Sequence, residues 1–371
     1  MRQLASIQKI DGIYEHPNAD KLDIAQVGGW KSIVRKDEFK VGDVVVYLEI
    51  DAWVPHSIAP FLSKNQPPRE YMGVQGERLK TMKLRGVLSQ GLILPLDSLS
   101  VVGYTWKLSD NGVQLIESHT SDSHKYSLGS DITELIGVLK WEPSDTATLD
   151  GTFKSSFPQF IRKSDQDRIQ NSWTHLIQSA EYLDMRWEMT TKLDGSSMTV
   201  YQRDGEFGVC SRGRELVEDT VNTFWKVAIQ SEMREKLQRL GMNIALQGEL
   251  MGEGIQSNLE KIKGHQFYLY DIFLIDVGRY ATILERKEIM FKLNSFTNNP
   301  IEHVPFLGYL PSIREYPTLD DFMQFCESIG DGRSLNALTR EGVVFKSTTL
   351  DELGEIKSFK VISNKYLLKN D

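Results

Sequence analysis

Short apolar segments bounded by turn residues fill the first 140 residues, and they constrain the fold of this 371-residue chain more than any other feature. Residues 22–27, 32–34, 44–48 and 92–94 each fit a short strand and are bounded by Gly, Pro or Asp. Residues 54–68 contain four prolines and are predicted to form a loop. Strands at this spacing without long helices predict a small β-barrel.

The second half has a different pattern, in which helices and strands are mixed. Residues 218–240 carry apolar side chains at helical spacing and are followed by Gly241, which predicts one helix. Strands are predicted at 197–202, 244–248, 267–274, 342–345 and 356–361, and the Phe/Met stripe of 319–325 is predicted to pack in a core. Residues 141–163 are rich in Ser, Thr, Pro and Gly and are predicted to be a linker between domains at 1–140 and 164–371.

Composition excludes several classes of protein. The chain is 40% hydrophobic and 25% charged, and no apolar run approaches the ~20 residues that span a bilayer. The N-terminus has no apolar signal segment, and neither Cys210 nor Cys326 belongs to a CxxC pair, so a cytoplasmic protein with two buried core thiols is expected. A net charge of −8 argues against general coating of nucleic acid, although residues 61–90 carry a local charge of +4.

The sharpest chemical signal is the segment KLDGSS at 192–197, which precedes a predicted strand. A lysine beside a tight Asp-Gly turn is exposed, and neighbouring positive charge or a metal ion can lower its pKa until it attacks as a neutral amine. An ordinary hairpin turn carries the same residues, and on this segment alone the turn is the simpler interpretation.

Further motifs follow in a defined order and change that balance. GEL and GEGIQ at 248–256 come after the lysine, followed by FYLYDI at 267–272, EGVVFK at 341–346 and KSFK at 357–360. This order resembles that of the covalent nucleotidyltransferases, the ligases and capping enzymes that form a lysyl-N-nucleotide. Residues 164–371 are similar to the adenylyltransferase domain of RNA ligases. The run SDQDRIQN at 164–171 and the tail SFKVISNKYLLK narrow the resemblance to the Deinococcus-type RNA ligase family.

The N-terminal half carries a resemblance of its own. HPNADKL at 16–22 and KLRGVLSQG at 83–91 are similar to oligonucleotide-binding (OB) barrels that bind tRNA. Together the resemblances imply an α+β protein with an N-terminal OB-type β-barrel that binds RNA. An adenylyltransferase (ATP-grasp-like ligase) domain of antiparallel sheets and helices would follow.

The family resemblance implies a role for each matching residue. Lys192 would carry AMP from ATP, three carboxylates would hold Mg²⁺ or Mn²⁺, Glu249 would bind the ribose and Tyr270 would stack on adenine. The implied catalytic residues are Lys192, Asp194, Glu249, Glu341 and Lys360. The implied nucleotide-binding residues are Lys192, Gly195, Arg212, Glu249, Tyr270, Lys357 and Lys360, and the implied metal ligands are Asp194, Glu249 and Glu341.

Two departures from the family pattern are visible. Thr191 precedes the lysine where many relatives carry glutamate, so the contacts that recognise the base are expected to differ. Lys357 and Lys360 are three residues apart, and since strand side chains alternate, only Lys360 is required to face the site.

The implied activity is ATP-dependent ligation of RNA 3′-OH and 5′-phosphate ends in RNA repair, by a monomer acting on a nicked duplex or single strands. The alternatives are a capping guanylyltransferase, a DNA ligase and a non-catalytic RNA-binding protein. The first two usually place the OB domain after the transferase domain, whereas here the barrel comes first.

Overall fold

The computed structural model describes residues 3–142, 153–295, 297–330 and 332–370. The chain divides into two compact units, Met1–Pro143 with Leu367–Asp371, and Ser144–Tyr366. Residues 143–152 of the predicted linker lie outside the described residues. The later part of that linker differs from the prediction, because Phe153–Ser156 forms a strand and Lys154 and Ser155 both donate hydrogen bonds to Glu215 at 2.9 Å.

The first unit is built from short antiparallel strands. In its described residues they form five small sheets, with the orders β1-β5-β11, β2-β3-β4, β9-β10, β12-β13-β14 and β15-β6-β8-β7. Alternate side chains of β3 and β4 are buried, which is the two-residue period expected of a half-buried strand. The strands are β1 Ala5–Lys9, β2 Gly12–Glu15, β3 Leu22–Val27, β4 Trp30–Arg35, β5 Val44–Leu48, β6 Ala52–Pro55, β7 Arg69–Tyr71, β8 Val74–Arg78, β9 Met82–Leu84, β10 Val87–Ser89, β11 Leu92–Pro95, β12 Tyr104–Ser109, β13 Gly112–Glu117, β14 Ser123–Ser127 and β15 Leu139–Lys140.

The second unit contains two larger sheets. Among the described residues, one has eight strands in the order β16-β21-β20-β19-β22-β23-β24 with β25 beside β23, and the other has the order β17-β28-β27-β18-β26. The strands are β16 Phe153–Ser156, β17 Asp167–Arg168, β18 Trp187–Lys192, β19 Ser196–Arg203, β20 Glu206–Cys210, β21 Arg214–Leu216, β22 Ile244–Gly252, β23 His265–Leu274, β24 Arg279–Tyr280, β25 Glu302–His303, β26 Phe306–Leu310, β27 Gly342–Ser347 and β28 Ser358–Ile362.

The helices are α1 Ile169–Gln178, α2 Ala180–Asp184, α3 Thr223–Gln230, α4 Met233–Leu240, α5 Ile283–Asn294, α6 Leu319–Gly330 and α7 Asn364–Asn370. Helices α1 to α6 lie in the second unit, whereas α7 begins in that unit and ends in the first. The prediction of one helix over 218–240 was wrong. The Asn222 side chain caps α3 by accepting from two backbone N–H groups, and Glu232 has a left-handed φ of 53°, so the chain turns before α4 begins.

Separate apolar cores lie against the two sheets of this unit. Phe224 and Leu237 from α3 and α4 pack against the eight-stranded sheet, whereas Phe322 of α6 packs against the five-stranded sheet and confirms the predicted core stripe. Cys210 and Cys326 are both unpaired and buried, as predicted. Within the described residues, no helix is long and apolar enough to cross a membrane.

Candidate active site

The turn that carries Lys192 joins the two sheets of the second unit. Strand β18 of the smaller sheet ends at Lys192, and β19 of the larger sheet begins at Ser196. Gly195 in this turn has no room for a side chain, since a Cβ there would lie 2.4 Å from the Met251 sulfur and 2.5 Å from the Leu250 carbonyl oxygen. Its N–H donates to Glu249 Oε1 at 3.1 Å, which ties the turn to β22.

Strand pairing places Glu341 opposite Lys192. Lys192 is the register partner of Gly342, the first residue of β27, so Glu341 lies immediately beside the lysine. Lys192 Nζ donates to Glu341 Oε2 at 2.7 Å. Burial alone would lower the pKa of Lys192, but the charges of Glu341 and Glu249 oppose it and raise that pKa above its ordinary value. The resting protein therefore holds this amine as an ammonium.

Three carboxylates share this environment. Burial, together with the charges of Glu341 and Asp194, raises the pKa of Glu249 to about 8 against the opposing charge of Lys192, and burial also raises the pKa of Glu341. The remaining carboxylate, Asp194, accepts a hydrogen bond from Ser257 Oγ at 3.3 Å. Crowded carboxylates in a partly buried site favour a cation, and oxygen ligands suit Mg²⁺ or Mn²⁺.

The oxygen donors of these carboxylates thus fit the Mg²⁺ or Mn²⁺ implied by the sequence, and their arrangement indicates how such an ion would be bound. Among the described residues, no group of three or more His, Cys, Asp or Glu side chains is already arranged around a metal position. Mg²⁺ is usually held by one or two carboxylates together with substrate phosphates and water. The donors here fit that mode of binding rather than an all-protein cage.

Tyr270 owes its position to a β-bulge. In the β22–β23 ladder Gln247 pairs with Asp271 and Gly248 pairs with Leu269, so Tyr270 is the extra residue between two register positions. Bulges occur beside active sites because they redirect a side chain. The Tyr270 hydroxyl lies 3.1 Å from Ser197 Oγ, which places the ring beside the Lys192 turn.

A buried charge network supports the bulge. Lys346 Nζ pairs with Asp271 Oδ1 at 2.6 Å and donates to the Tyr270 carbonyl at 2.7 Å. Arg286 donates to the same carbonyl at 3.3 Å and pairs with the buried Glu188. These four residues were missed as functional candidates. Lys346 and Asp271 lie within the motifs EGVVFK and FYLYDI, which was the available signal.

The predicted phosphate-binding cations divide into two groups. Lys360 and Arg212 both face Asp165, with N–O distances of 3.7 and 3.5 Å, and the charge of Lys360 also acts on Glu341. Lys357 lies elsewhere, because its ammonium pairs with Asp351 at 3.1 Å and covers the Tyr182 ring. The structure therefore brings Lys360 and Arg212 towards the site and leaves Lys357 outside it, because Lys357 precedes β28 and turns to the Asp351 loop.

Comparisons with known proteins agree on the family. The RNA ligase family model matches residues 185–362, and an OB-fold domain model matches residues 4–96. No curated protein matches the chain.

Solved structures of Naegleria gruberi RNA ligase match the whole chain. A mutant with ATP and Mn is 39% identical, covers 99% of this chain and 98% of its own, and superposes with a TM-score of 0.81. The protein with PPi is 40% identical with the same coverages and a TM-score of 0.82, and a mutant with AMP and Mn is 39% identical, again with the same coverages and a TM-score of 0.83. The predicted fold class, an N-terminal OB domain followed by a ligase domain of antiparallel sheets and helices, is confirmed. Identity at this level over almost the entire chain shows that the chain belongs to the RNA ligase family.

Proposed function

We propose that this ATP-dependent RNA ligase joins 3′-OH and 5′-phosphate RNA ends through a lysyl-AMP formed at Lys192, as a step of RNA repair. The observation that carries the proposal is the Lys192 amine, held 2.7 Å from Glu341 and acted on by the charges of Glu249 and Asp194. The Tyr270 hydroxyl lies 3.1 Å from Ser197 Oγ, in the strand that follows the Lys192 turn. An amine, a metal-binding carboxylate set and a flat aromatic surface are what transfer of an adenylate to lysine requires.

The reaction proceeds in three balanced steps. Lys192 loses a proton and Nζ attacks the α-phosphorus of ATP, so that a P–N bond forms and the bond to the departing PPi breaks. A 5′-phosphate oxygen of RNA then attacks the AMP phosphorus, so that a P–O–P bond forms, the P–N bond breaks and Nζ takes up a proton as it leaves. Finally the 3′-OH gives up its proton to solvent and its oxygen attacks the activated 5′-phosphorus, which forms the phosphodiester and breaks the P–O–P bond to expel AMP.

Each neighbour of Lys192 has a separate task in the first step. Glu249 accepts a hydrogen bond from the ribose, and Tyr270 stacks on adenine. Lys360 and Arg212 neutralise phosphate charge, a role that suits a lysine point charge and a guanidinium fork respectively. Lys357 is not assigned to the nucleotide, because its partners are Asp351 and Tyr182.

Asp194, Glu249 and Glu341 are the residues that would hold Mg²⁺ or Mn²⁺. The metal would stabilise negative charge on the α-phosphate. The ion pair with Glu341 raises the pKa of Lys192, so loss of that ion pair would lower the pKa and favour deprotonation of the amine. Structures of the Naegleria gruberi relative with ATP and Mn support this assignment.

RNA binding is assigned to the first unit. Within its basic segment, residues 61–90, ion pairs reduce the number of cations that are available to contact RNA. Arg69 and Arg78 are engaged in ion pairs with Glu77 and Asp51. Lys64, Lys80, Lys83 and Arg85 form no ion pair within the described residues, and of these Lys83 in β9 and Arg85 in the turn lie exposed together on the β9–β10 hairpin. This hairpin is therefore the best candidate for contacts to RNA phosphates.

Labelled nucleotide tests the catalytic proposal directly. The protein is incubated with ATP labelled at the α-phosphate and a divalent metal, and a parallel sample receives labelled GTP. Label from ATP should become covalently bound to the wild-type chain, surviving denaturation and alkali but released by acid as expected for a P–N bond. It should be absent from Lys192→Ala, which should still seal some pre-adenylated RNA because that step does not use the amine. Label from GTP alone would favour the guanylyltransferase, and no label from either would favour a non-catalytic RNA-binding protein.

Salt dependence of binding tests the assignment of the first unit. Lys83→Ala/Arg85→Ala should weaken RNA binding and flatten its salt dependence by about two phosphate contacts, while enzyme-AMP formation continues at the wild-type rate. Lys107→Ala/Lys125→Ala, on a different exposed sheet of the same unit, is the matched control. Equal salt slopes for both double variants would remove the hairpin from the RNA-binding surface.

The finer points of setting are proposals too. Two unpaired, buried thiols support a reducing, cytoplasmic environment. A monomer acting on a nicked duplex or on single strands is proposed. Sedimentation of the free protein and competition between the two RNA forms would test these two points.

A further inference from the structure

The loop between β22 and β23, residues 253–264, is held in a backbone conformation that needs support. Gln256, Asn258 and Lys261 all have left-handed φ values, of 46°, 42° and 51°. Such conformations cost about 1–3 kcal/mol each in non-glycine residues and persist only where the surroundings impose them. The Asn258 side chain supplies part of that support, since it donates to the Ile262 carbonyl and accepts from the Ile262 N–H, both at 3.1 Å.

One side of this loop contacts the Lys192 turn. Ser257 Oγ donates to Asp194 Oδ2 at 3.3 Å. Ile262 packs in a small apolar cluster with Leu193, which lies between Lys192 and Asp194. The loop therefore contacts the turn through both a polar and an apolar side chain.

The other side of the loop is hydrogen-bonded through Glu260 to residues 336 and 337, which are distant in sequence. This side chain is buried, with 4% exposure. Its Oε2 accepts hydrogen bonds from the backbone N–H groups of Asn336 at 2.6 Å and Ala337 at 2.9 Å, and the Asn336 side chain donates to the Glu260 carbonyl at 2.9 Å. Glu260 has no ion-pair partner in the described chain, so its buried charge is balanced by backbone donors of the 332–340 segment.

That segment leads directly into Glu341. On its far side Glu341 is already fixed, since β27 begins at Gly342 and the Glu341 carbonyl accepts from Ser363 N–H at 2.8 Å. On its near side the chain arrives from the 332–340 segment, where Glu260 holds Asn336 and Ala337 and the Arg340 side chain donates to the Ile329 and Arg333 carbonyls. Leu335 in this segment also packs on the cluster that contains Leu193 and Ile262.

We propose that Glu260 is a positioning residue that holds the 332–340 segment so that the Glu341 carboxylate stays opposite Lys192. Through Ser257 the same loop contacts Asp194, so a single strained loop sets the relative positions of two of the carboxylates assigned to the metal. This inference rests on the proposed function, because it concerns the rate of adenylate transfer to Lys192.

Three substitutions separate reach from charge. Glu260→Gln keeps the side-chain length and one oxygen that can accept both N–H groups, whereas Glu260→Asp keeps the charge but is one methylene too short. Glu260→Ala removes both contacts. If position is what counts, Glu260→Gln should retain the single-turnover rate of enzyme-AMP formation within about threefold, and Glu260→Asp should lose about tenfold, since a misplacement of 1 Å can cost ~100-fold.

The kinetic parameters distinguish positioning from general loosening. The rate at saturating ATP should fall while KM for ATP changes less than about twofold, because Glu341 acts on the reacting phosphate rather than on the base. Glu285→Asp is the matched control, since that carboxylate also accepts a backbone N–H, from Thr282 at 2.7 Å, but at the start of α5. It should lower the melting temperature without changing the rate.

Each outcome decides a different question. Wild-type rates in Glu260→Asp, with normal label transfer by the unmodified protein, overturn the positioning role alone. A defect in Glu260→Gln as large as in Glu260→Asp shows that the reach of the side chain is not sufficient without its charge, and also overturns a role that rests on position. If Glu260→Ala does not fold, the Gln and Asp variants still decide. Absence of label transfer in the unmodified protein overturns the proposed function and this inference together.

Discussion

Two lysine–carboxylate pairs of nearly equal length have opposite characters in this molecule. Lys192 and Glu341 lie 2.7 Å apart with side chains 26% and 13% exposed, whereas Lys346 and Asp271 lie 2.6 Å apart with side chains 4% and 7% exposed. Burial lowers the pKa of Lys346 despite the charge of Asp271, but at Lys192 the surrounding carboxylates win and raise the pKa. Distance alone therefore does not tell a reactive lysine from a structural one.

What differs is the number of partners and the access to them. Lys346 also donates to the Tyr270 carbonyl, so its ammonium is satisfied inside the protein. Lys192 faces several carboxylates at a site that solvent reaches, so an incoming cation can compete for Glu341. The Lys192–Glu341 pair is therefore suited to be broken during a reaction, whereas the Lys346–Asp271 pair is suited to persist.

Breaking the Lys346–Asp271 pair should have the largest effect of these changes, and the effect should be a loss of folding stability. Lys346→Met leaves Asp271 buried without its cation and should lower the free energy of unfolding by about 3–5 kcal/mol. Denaturant unfolding followed by tryptophan fluorescence measures this, and Lys346→Met/Asp271→Leu should recover part of the loss because no unpaired charge remains. A loss below about 1 kcal/mol for the single variant would mean that the two pairs do not differ in this way.

Breaking the reactive pair should act on rate instead. In the proposed reaction Glu341→Ala and Lys360→Ala each remove a charge from the surroundings of the α-phosphate. By analogy with oxyanion sites this should cost about 3–4 kcal/mol, or several hundredfold in the rate of enzyme-AMP formation. Rapid-quench measurement with labelled ATP gives the rate, and unfolding of the same variants gives the control. A rate within tenfold of wild type would contradict the assignment of that residue.

Acid should lower the stability of the folded protein through His303, a largely buried residue on which the charge of Lys346 acts. Burial, reinforced by the charge of Arg286, lowers the pKa of His303 to about 4 from an ordinary value of 6.5. Because the folded state keeps this imidazole neutral, its contribution to stability is complete above pH 6.5 and is lost as the pH falls towards 4. Between pH 7 and pH 4.5 the wild-type chain should therefore lose about 2 kcal/mol more of its unfolding free energy than His303→Gln does. Parallel pH dependences for the two proteins would rule out His303 as the cause.

A third ion pair, between Lys357 and Asp351, should have the smallest effect on the rate of enzyme-AMP formation when it is broken. Lys357 and Asp351 lie 3.1 Å apart, away from the nucleotide site, and Asp351 retains hydrogen bonds from backbone N–H groups. Lys357→Ala should change the rate of enzyme-AMP formation less than about threefold, as expected for a partly exposed pair worth about 1 kcal/mol or less. A defect equal to that of Lys360→Ala would place Lys357 at the ATP phosphates.

Local sequence patterns predicted most strands and the order of the motif residues, because alternation and tight turns are properties of neighbouring residues. Residues 22–27 and 44–48 form strands with the predicted bounds. The break at Glu232 was not predictable from apolar spacing, since the helical period continues across it.

The sequence motifs name the residues of the proposed site, but the residues that support them could not be predicted. Lys192, Glu249 and Glu341 stand in recognisable motifs, and the fold brings them together. The roles of Lys346, Asp271 and Glu260 depend on which strands pair and on which backbone groups lack a partner. Local patterns in a single sequence do not show which strands pair, so these roles became visible only in the structure.

The bulge at Tyr270 has a consequence for how base preference could change. Gln247–Asp271 and Gly248–Leu269 are consecutive register pairs, so the ladder is complete without the residue between them. The aromatic ring is thus carried by the one residue of β23 that contributes nothing to strand register. If Tyr270 stacks on adenine as proposed, substitution at 270 would alter the surface offered to the base while the sheet keeps its pairing, so this position could change independently of the rest of the site.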